Sequence, residues 1–559
     1  MSTFWNRRDV LSTALGATAL TMLPRTSFAE LSRSTIPVAP FVEVDTASGK
    51  VRGGQCRGAI AFKGIPYAGD VSDANRFKAP PPVKPWTGVF DATHLGPPAL
   101  QRPKSTYGEQ EPAPDENCLV LNVWTPALPS SQSRNSHKRP VMLYLHGGGY
   151  VTGSGGSPTQ DGSMLAATYD VVVVACNHRL GLMGYLYLGD LDRSYAEHAN
   201  AGMQDVVATL QWIKTNIAAF GGDPNNVTVM GESGGGGKVG TLLGMPQAVG
   251  LFHKAGIESG AWLQRMPKDY ATETTLRLLK ALNLSTNEIH RLTELPAQTL
   301  LDLQITGEGR KGPLSIPADA NKIITPTGAE HDYPGQFAPL VDGQVVPAHP
   351  FDPVATPLAA KIPLMIGFNH QEAMFIFREK PEVFNMTKEQ LVERGRERFG
   401  DNAQRIADVY RKAMPDASPS DIFIAIATAT TFGNDTFALA ALKSAQPPAV
   451  FLYRYDYESN VPIKGTNTTL KACHASDIAP TFYNYDQVGL HGNGPGLPDA
   501  SRNLSALWTS FARTGKPSAR GAPEWPRYNT KSRPTMLIDT TCKVVNDPDA
   551  EIRKMWETL

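Results

Sequence analysis

The segment from Val227 to Leu243 constrains this chain more than any other stretch of its sequence. Val227 to Met230 is a short apolar run of strand character that passes directly into Gly231-Glu232-Ser233-Gly234-Gly235, and Lys238 to Leu243 suits a helix. A strand that reverses into a helix within five residues needs neighbours without a Cβ, because the backbone must close tightly around the residue at the apex. Other runs share this plan. Val141 to Leu145 ends abruptly in His146-Gly147-Gly148-Gly149, and Val171 to Cys176 ends at Asn177, as buried parallel strands do. From Gly202 to Ile217 the apolar positions Met203, Val206, Val207, Leu210, Ile213 and Ile217 recur at helical spacing, and Gly221-Gly222-Asp223-Pro224 closes the helix with a turn. Ala255 to Glu258, Pro363 to Phe368 and Ala449 to Tyr455 read as further strands, and Lys268 to Leu282 and Lys388 to Met414 as helices. This alternation predicts an α/β architecture, a long and mainly parallel central sheet with helices on both faces. The Pro- and Gly-rich piece from Gly307 to Gly335 is expected to wrap the surface or the mouth of a cleft, and no repeat of fixed period is evident.

Bulk properties narrow the function classes. Lysine plus arginine balances aspartate plus glutamate at 53 each with no block of like charge, which leaves no electrostatic footprint for nucleic acid. With 21 Phe, 17 Tyr and 8 Trp there is ample material for a buried core. Five cysteines, Cys56, Cys118, Cys176, Cys473 and Cys542, form no CxxC and no metal-ligand spacing, so neither a metal nor another cofactor is implied. At the amino terminus, Asn6-Arg7-Arg8-Asp9-Val10-Leu11 precedes an apolar, acid-free run to Leu23 and then Ser27-Phe28-Ala29. That pattern is a twin-arginine signal peptide over residues 1–29, which predicts export to the periplasm or medium. No later stretch reads as a membrane anchor, so no stable membrane insertion is expected after cleavage. The oligomeric state is not legible.

Two glycine-rich elements carry chemistry. Gly231-x-Ser233-x-Gly235 between a strand and a helix matches the turn that exposes a nucleophilic serine oxygen. A phosphate loop is the competing reading, but Lys238 is followed by Val239 where such a loop wants Ser or Thr, and no dinucleotide fingerprint fits. His146-Gly147-Gly148-Gly149 after a strand is the second element. Acyl transfer passes through a tetrahedral oxyanion that needs preorganised N–H donors, and Gly148, Gly149 and Gly234 are the candidates.

These elements, with Phe62-Lys63-Gly64-Ile65-Pro66-Tyr67-Ala68, Asn117-Cys118-Leu119-Val120-Leu121-Asn122-Val123-Trp124, Phe220-Gly221-Gly222-Asp223-Pro224 and Trp525-Pro526-Arg527-Tyr528, resemble the type-B carboxylesterase family. Those are the α/β hydrolases that include cholinesterases and bacterial para-nitrobenzyl-type esterases. The resemblance covers nearly all of the chain after the signal and implies one catalytic domain, residues 30–559, with the α/β-hydrolase fold. It also implies a serine hydrolase acting on small-molecule esters through an acyl-enzyme. Glu372, just beyond the strand Pro363 to Phe368, looks like the family's triad glutamate, with Asp342 as a rival. Since α/β hydrolases order the triad as serine, acid, histidine, only His474 and His491 remain as bases, and the loop Cys473-His474-Ala475-Ser476-Asp477 resembles the family's histidine loop. Ala475 stands there where glycine is usual. Glu232, common in the family, is read either as tuning the site or as structural. Tyr150, Trp262, Phe375 and Phe377 are candidates for an apolar substrate pocket.

Departures from the family pattern matter too. Cys118 matches one half of a family disulfide, but Leu95 to Gln101 holds no partner cysteine, and Pro98 to Asn117 lacks the tryptophan on which cholinesterases bind a quaternary ammonium. Choline esters are therefore not expected as substrates. The alternatives from other classes are a non-catalytic, esterase-like binding or adhesion domain, and amide or thioester hydrolysis or acyl transfer by the same triad.

Overall fold

A computed structural model describes residues 41–101, 111–129, 138–307, 323–324, 330–331 and 337–559. The signal-peptide reading of residues 1–29 and most of the piece from Gly307 to Gly335 lie outside the described residues.

Thirteen strands form one sheet: β1 (Val42–Thr46), β2 (Gly49–Cys56), β3 (Ala59–Pro66), β4 (Val89–Asp91), β5 (Val120–Thr125), β6 (Arg139–Leu145), β7 (Val172–Cys176), β8 (Gly222–Glu232), β9 (Lys254–Glu258), β10 (Leu364–Asn369), β11 (Val450–Tyr455), β12 (Pro534–Ile538) and β13 (Lys543–Asn546). Their spatial order is β1-β2-β3-β5-β7-β6-β8-β9-β10-β11-β12-β13, with β4 beside β2. From β7 through β12 every neighbouring pair is parallel, and antiparallel pairs flank this block on both sides.

Both faces of the central strands are covered, and the period-2 alternation of strand side chains explains why these strands read as unbroken apolar runs. In β6, Val141, Leu143 and Leu145 enter one core while Met142 and Tyr144 enter the other, and in β7 Val172 and Val174 oppose Val173 and Ala175 in the same way. The first core is closed by α1 (Ala201–Asn216), whose Met203, Val206, Val207, Leu210 and Ile213 are all buried in it. The second is closed by α9 (Leu497–Thr514) through Leu504, Leu507, Trp508 and Phe511. Among the helices between α1 and α9 in the chain are α2 (Gly234–Leu242), α3 (Lys268–Ala281), α4 (Ala373–Phe377), α5 (Lys388–Phe399), α6 (Ala403–Ala413), α7 (Pro419–Thr428) and α8 (Asn434–Ser444). Helices α4 to α7 build a satellite core around Phe377, Ile406, Tyr410 and Phe423.

Several boundaries differ from the sequence reading. The expected turn at Gly221 to Pro224 is mostly strand, because β8 begins at Gly222, which pairs with Arg139 ahead of a register shift. Helix α2 starts at Gly234, four residues early, so four consecutive glycines are helical. Lys388 to Met414 is two helices, broken where Gly400 adopts φ +54°. The run Pro419–Ser444 is helical over 26 residues and apolar enough by length and composition to cross a membrane, although 72% of its most apolar window is buried within the fold. Interior packing produces the same composition as a lipid-facing span. All five cysteines are free thiols, four of them buried.

Candidate active site

Ser233 stands where β8 ends and α2 begins, with φ +56° and ψ −122°, a conformation that strains any residue bearing a Cβ. The strain is held by neighbours: the Ser233 N–H donates to the Glu258 carbonyl at 2.8 Å, and the Gly237 N–H donates to the Ser233 carbonyl at 3.0 Å. A Cβ on Gly235 would overlap the Leu145 carbonyl oxygen, so α2 can lie against the end of β6 only with glycine there.

A hydroxyl, an imidazole and a carboxylate meet at this turn. Ser233 Oγ is 2.8 Å from His474 Nε2, and His474 Nδ1 is 2.7 Å from Glu372 Oε2. With the imidazole neutral and its proton on Nδ1, the ring donates to Glu372 and accepts from the serine hydroxyl. Glu372 is fully buried, and its other oxygen accepts from Ser259 Oγ at 2.5 Å and from the Asn369 N–H at 2.6 Å. The acid and histidine loops are stitched together. Asn369, the last residue of β10, donates from its side chain to the Cys473 carbonyl at 2.7 Å and to Asp477 at 3.0 Å, and the Gln371 N–H donates to the Ala472 carbonyl at 2.9 Å. Ala475 adopts φ +65°, a left-handed backbone that costs an alanine roughly 1 kcal/mol and that glycine would adopt freely.

The loop His146 to Gly149 packs over the serine: a Cβ on Gly147 would lie 3.4 Å from that of Ser233, and one on Gly234 would overlap the Gly149 carbonyl. Each peptide of the loop is anchored by its carbonyl. The Gly147 oxygen is 2.9 Å from His146 Nδ1, and the Gly148 oxygen accepts from the Thr152 N–H at 3.1 Å and from Thr152 Oγ1 at 3.2 Å. In a trans peptide the N–H points opposite to the C=O, so these anchors aim the amides of Gly148 and Gly149 the other way. Neither amide, nor that of Gly234, donates to another group among the described residues.

Three further carboxyl groups lie buried beneath the histidine. Glu232 Oε1 is 3.3 Å from His474 Nε2. Burial pushes the Glu232 carboxyl up, His474 pulls it back, and Asp477 and Glu372 add to the rise, leaving it at about 8. Burial also raises Glu258, which accepts from Thr481 at 3.2 Å, and it raises Asp477 to about 6. His474 experiences the opposite balance. Burial lowers it, but the negative charges of Glu232, Glu372 and Asp477 outweigh that and raise it to about 9.

The rival assignments fall elsewhere. His491 Nε2 bonds to the Gln487 carbonyl at 2.9 Å, and Asp342 is consumed by the backbone amides of Gln344 and Val345 and by Asn200. Of the four aromatic candidates, Phe375 has its ring 5.9 Å from His474, and Tyr150 packs on Trp262 at 5.7 Å against the start of α2, where a Cβ on Gly237 would collide with both. Phe377 is a correction. Two positions along a short helix from Phe375, it faces the opposite way and packs on Phe423 at 5.1 Å in the satellite core. In its place stands Phe432, whose ring stacks on His474 at 4.5 Å and 26°. It sits in a π-helical turn, Ala429–Gly433, between α7 and α8, which regular helical spacing does not announce beforehand. Ser259 and Asn369 were likewise invisible, since their roles arise from strand ends meeting across the sheet.

Comparison with known proteins gives the family. A family model described as the carboxylesterase family matches residues 40–556. The chain is 34% identical over 518 residues to a para-nitrobenzyl esterase of Bacillus subtilis (strain 168), covering 91% of this chain and 97% of that protein. A phenmedipham hydrolase of Pseudarthrobacter oxydans is 30% identical over 524 residues, covering 91% and 96%. Among solved structures, a carboxylesterase of Geobacillus stearothermophilus superposes with a TM-score of 0.77 at 33% identity, covering 92% of this chain and 99% of its own. An esterase of Clostridium hathewayi described as able to hydrolyse aliphatic aromatic polyesters superposes at 0.75 with 30% identity, covering 93% and 99%.

Proposed function

The chain belongs to the carboxylesterase family and is a serine hydrolase of carboxylic esters, and from that premise we propose that Ser233 is its nucleophile, His474 its general base and Glu372 the acid that orients the base. The support is the relay of 2.8 Å from Ser233 Oγ to His474 Nε2 and 2.7 Å from Nδ1 to Glu372. As Oγ attacks the ester carbonyl carbon, its proton passes to Nε2, and the amides of Gly148, Gly149 and Gly234 stabilise the oxyanion. Collapse of the tetrahedral intermediate expels the alcohol, which takes the proton from His474. Water then repeats the sequence on the acyl-enzyme and frees the acid. Glu372 keeps the imidazole in the productive tautomer and stabilises the imidazolium. With all three residues in hydrogen-bond contact, a binding-only role has no support.

The preferred substrates in this proposal are uncharged, moderately apolar esters, since the rings of Phe375 and Phe432 lie against His474 and those of Tyr150 and Trp262 pack beside the first turn of α2. Export also belongs to the proposal, with residues 1–29 removed as a twin-arginine signal. Its support is the Arg7-Arg8 pattern and a family match that begins only at residue 40.

Replacing Ser233 with alanine should lower hydrolysis of a nitrophenyl ester by roughly 10⁴-fold or more and abolish labelling by a fluorophosphonate. An S233A protein that still turned over at the parent rate would end this assignment.

A further inference from the structure

Lys238, on α2 one helical turn beyond the nucleophile, is completely buried. Its ammonium donates to a single oxygen, the His146 carbonyl at 3.0 Å, and lies 5.8 Å from the centre of the Tyr150 ring. No carboxylate lies within ion-pair distance of it among the described residues. The other groups facing it, His146, His178 and Cys176, are neutral partners, the two imidazoles being stacked 4.6 Å apart and held well below their usual pKa by burial and then by Lys238. A buried cation with one acceptor for three donors opposes folding, and a methionine of similar length would fill the space without that penalty. Stability therefore does not explain the residue. Its two contacts do, because His146 and Tyr150 are the residues that bracket Gly147, Gly148 and Gly149.

We propose that Lys238 is a positioning residue for ester hydrolysis: by gripping the His146 carbonyl at one end of the glycine loop and the Tyr150 ring at the other, it holds the Gly148 and Gly149 amides on the developing oxyanion. The chain of contacts is continuous. Lys238 fixes the His146 peptide, the His146 ring fixes the Gly147 carbonyl, and that carbonyl belongs to the peptide whose N–H is that of Gly148. Burial lowers the ammonium to about 7, and the group keeps N–H donors whether charged or neutral. The inference rests on the reading of Gly148 and Gly149 as oxyanion donors.

The test uses a trifluoromethyl ketone, which adds the serine and presents a tetrahedral oxyanion, beside steady-state hydrolysis of a nitrophenyl ester, both normalised to active sites counted with a fluorophosphonate. Tight binding of the ketone by the parent enzyme establishes the oxyanion assignment, and its failure there would sink that assignment rather than the role of Lys238. For K238M, kcat and ketone affinity should each fall about ten- to a hundredfold, with KM within twofold and thermal stability equal or higher. K238R, which keeps the donor, should recover part of the loss. A K238M enzyme with parental kcat and ketone affinity overturns the proposal, as does one whose only change is lowered stability. If either variant folds poorly, the ratio of ketone affinity to KM per active site still decides the question.

Discussion

Glu232 and His474 share a problem that neither can solve alone. A carboxylate 3.3 Å from Nε2 favours the imidazolium, yet a general base must be neutral to accept the serine proton. The pair titrates as a unit, with Glu232 raised to about 8 and His474 to about 9, so at neutral pH it retains protons that an isolated imidazole would have released. The sign of the consequence is fixed. Activity should climb with pH as His474 is deprotonated, and removing the negative charge of Glu232 should make that deprotonation easier. In E232Q the acid limb of the kcat/KM profile is expected to move down by about one pH unit or more, a shift worth roughly 1.4 kcal/mol per unit. An unmoved limb in a folded, fluorophosphonate-reactive E232Q would show that the carboxylate is structural only. The sequence offered both readings of Glu232 without deciding between them, since adjacency to a serine says nothing about burial or about a histidine 242 positions away.

Among elements, the π-turn Ala429–Gly433 carries the contact that most directly shapes the base. An extra residue in a helical turn rotates Phe432 onto the His474 ring, while Thr428 at the end of α7 accepts from the Ala373 N–H at 3.2 Å and so ties this helix to the start of α4, beside Glu372. Stacked ring pairs contribute about 0.5–1.5 kcal/mol beyond burial. Phe432→Leu, which keeps an apolar side chain, should therefore lower kcat/KM by roughly two- to tenfold by freeing the imidazole, with the acid limb of the pH profile little changed. Unaltered kinetics would mean that the stack does not restrain His474. This element also marks where the sequence stops being legible. Val141 to Leu145 or Val171 to Cys176 announce buried strands because both faces are apolar, and α1 announces itself by its spacing. Phe432 lies between Thr430-Thr431 and Gly433-Asn434-Asp435 in a π-turn, and a period of 3.6 residues cannot say which way a side chain in such a turn faces. The glycines at the start of α2 mislead for the opposite reason. Their propensity argues against a helix, whereas close approach to the end of β6 leaves no room for a Cβ at Gly235 and tertiary packing supplies the stability. The candidate triad could be named from the sequence because Ser233 stands at a recognisable strand-to-helix turn, while Glu372 and His474 came from the resemblance to the family and its order of serine, acid and histidine.

At the scale of the molecule, the proposed export by the twin-arginine route would bear on where folding is completed, because that route carries folded cargo. Replacing Arg7 and Arg8 with lysines keeps the charge and should still abolish the appearance of esterase in the periplasmic or medium fraction of a bacterial host, with active enzyme retained inside the cell. Undiminished external activity would dismiss the signal. The site itself spans the molecule. The bond from Ser233 to His474 joins residues 241 apart, the bond from His474 to Glu372 joins residues 102 apart, and β8 and β10, which lead to Ser233 and Glu372, lie in the parallel block with β9 between them. On the proposed assignment, a polypeptide still emerging from the ribosome owns its nucleophile for nearly half of synthesis before it owns its base. It is thus silent toward every ester in the cell until residue 474 of 559 has been made, and colour released from a nitrophenyl substrate counts only molecules that have passed that point and folded.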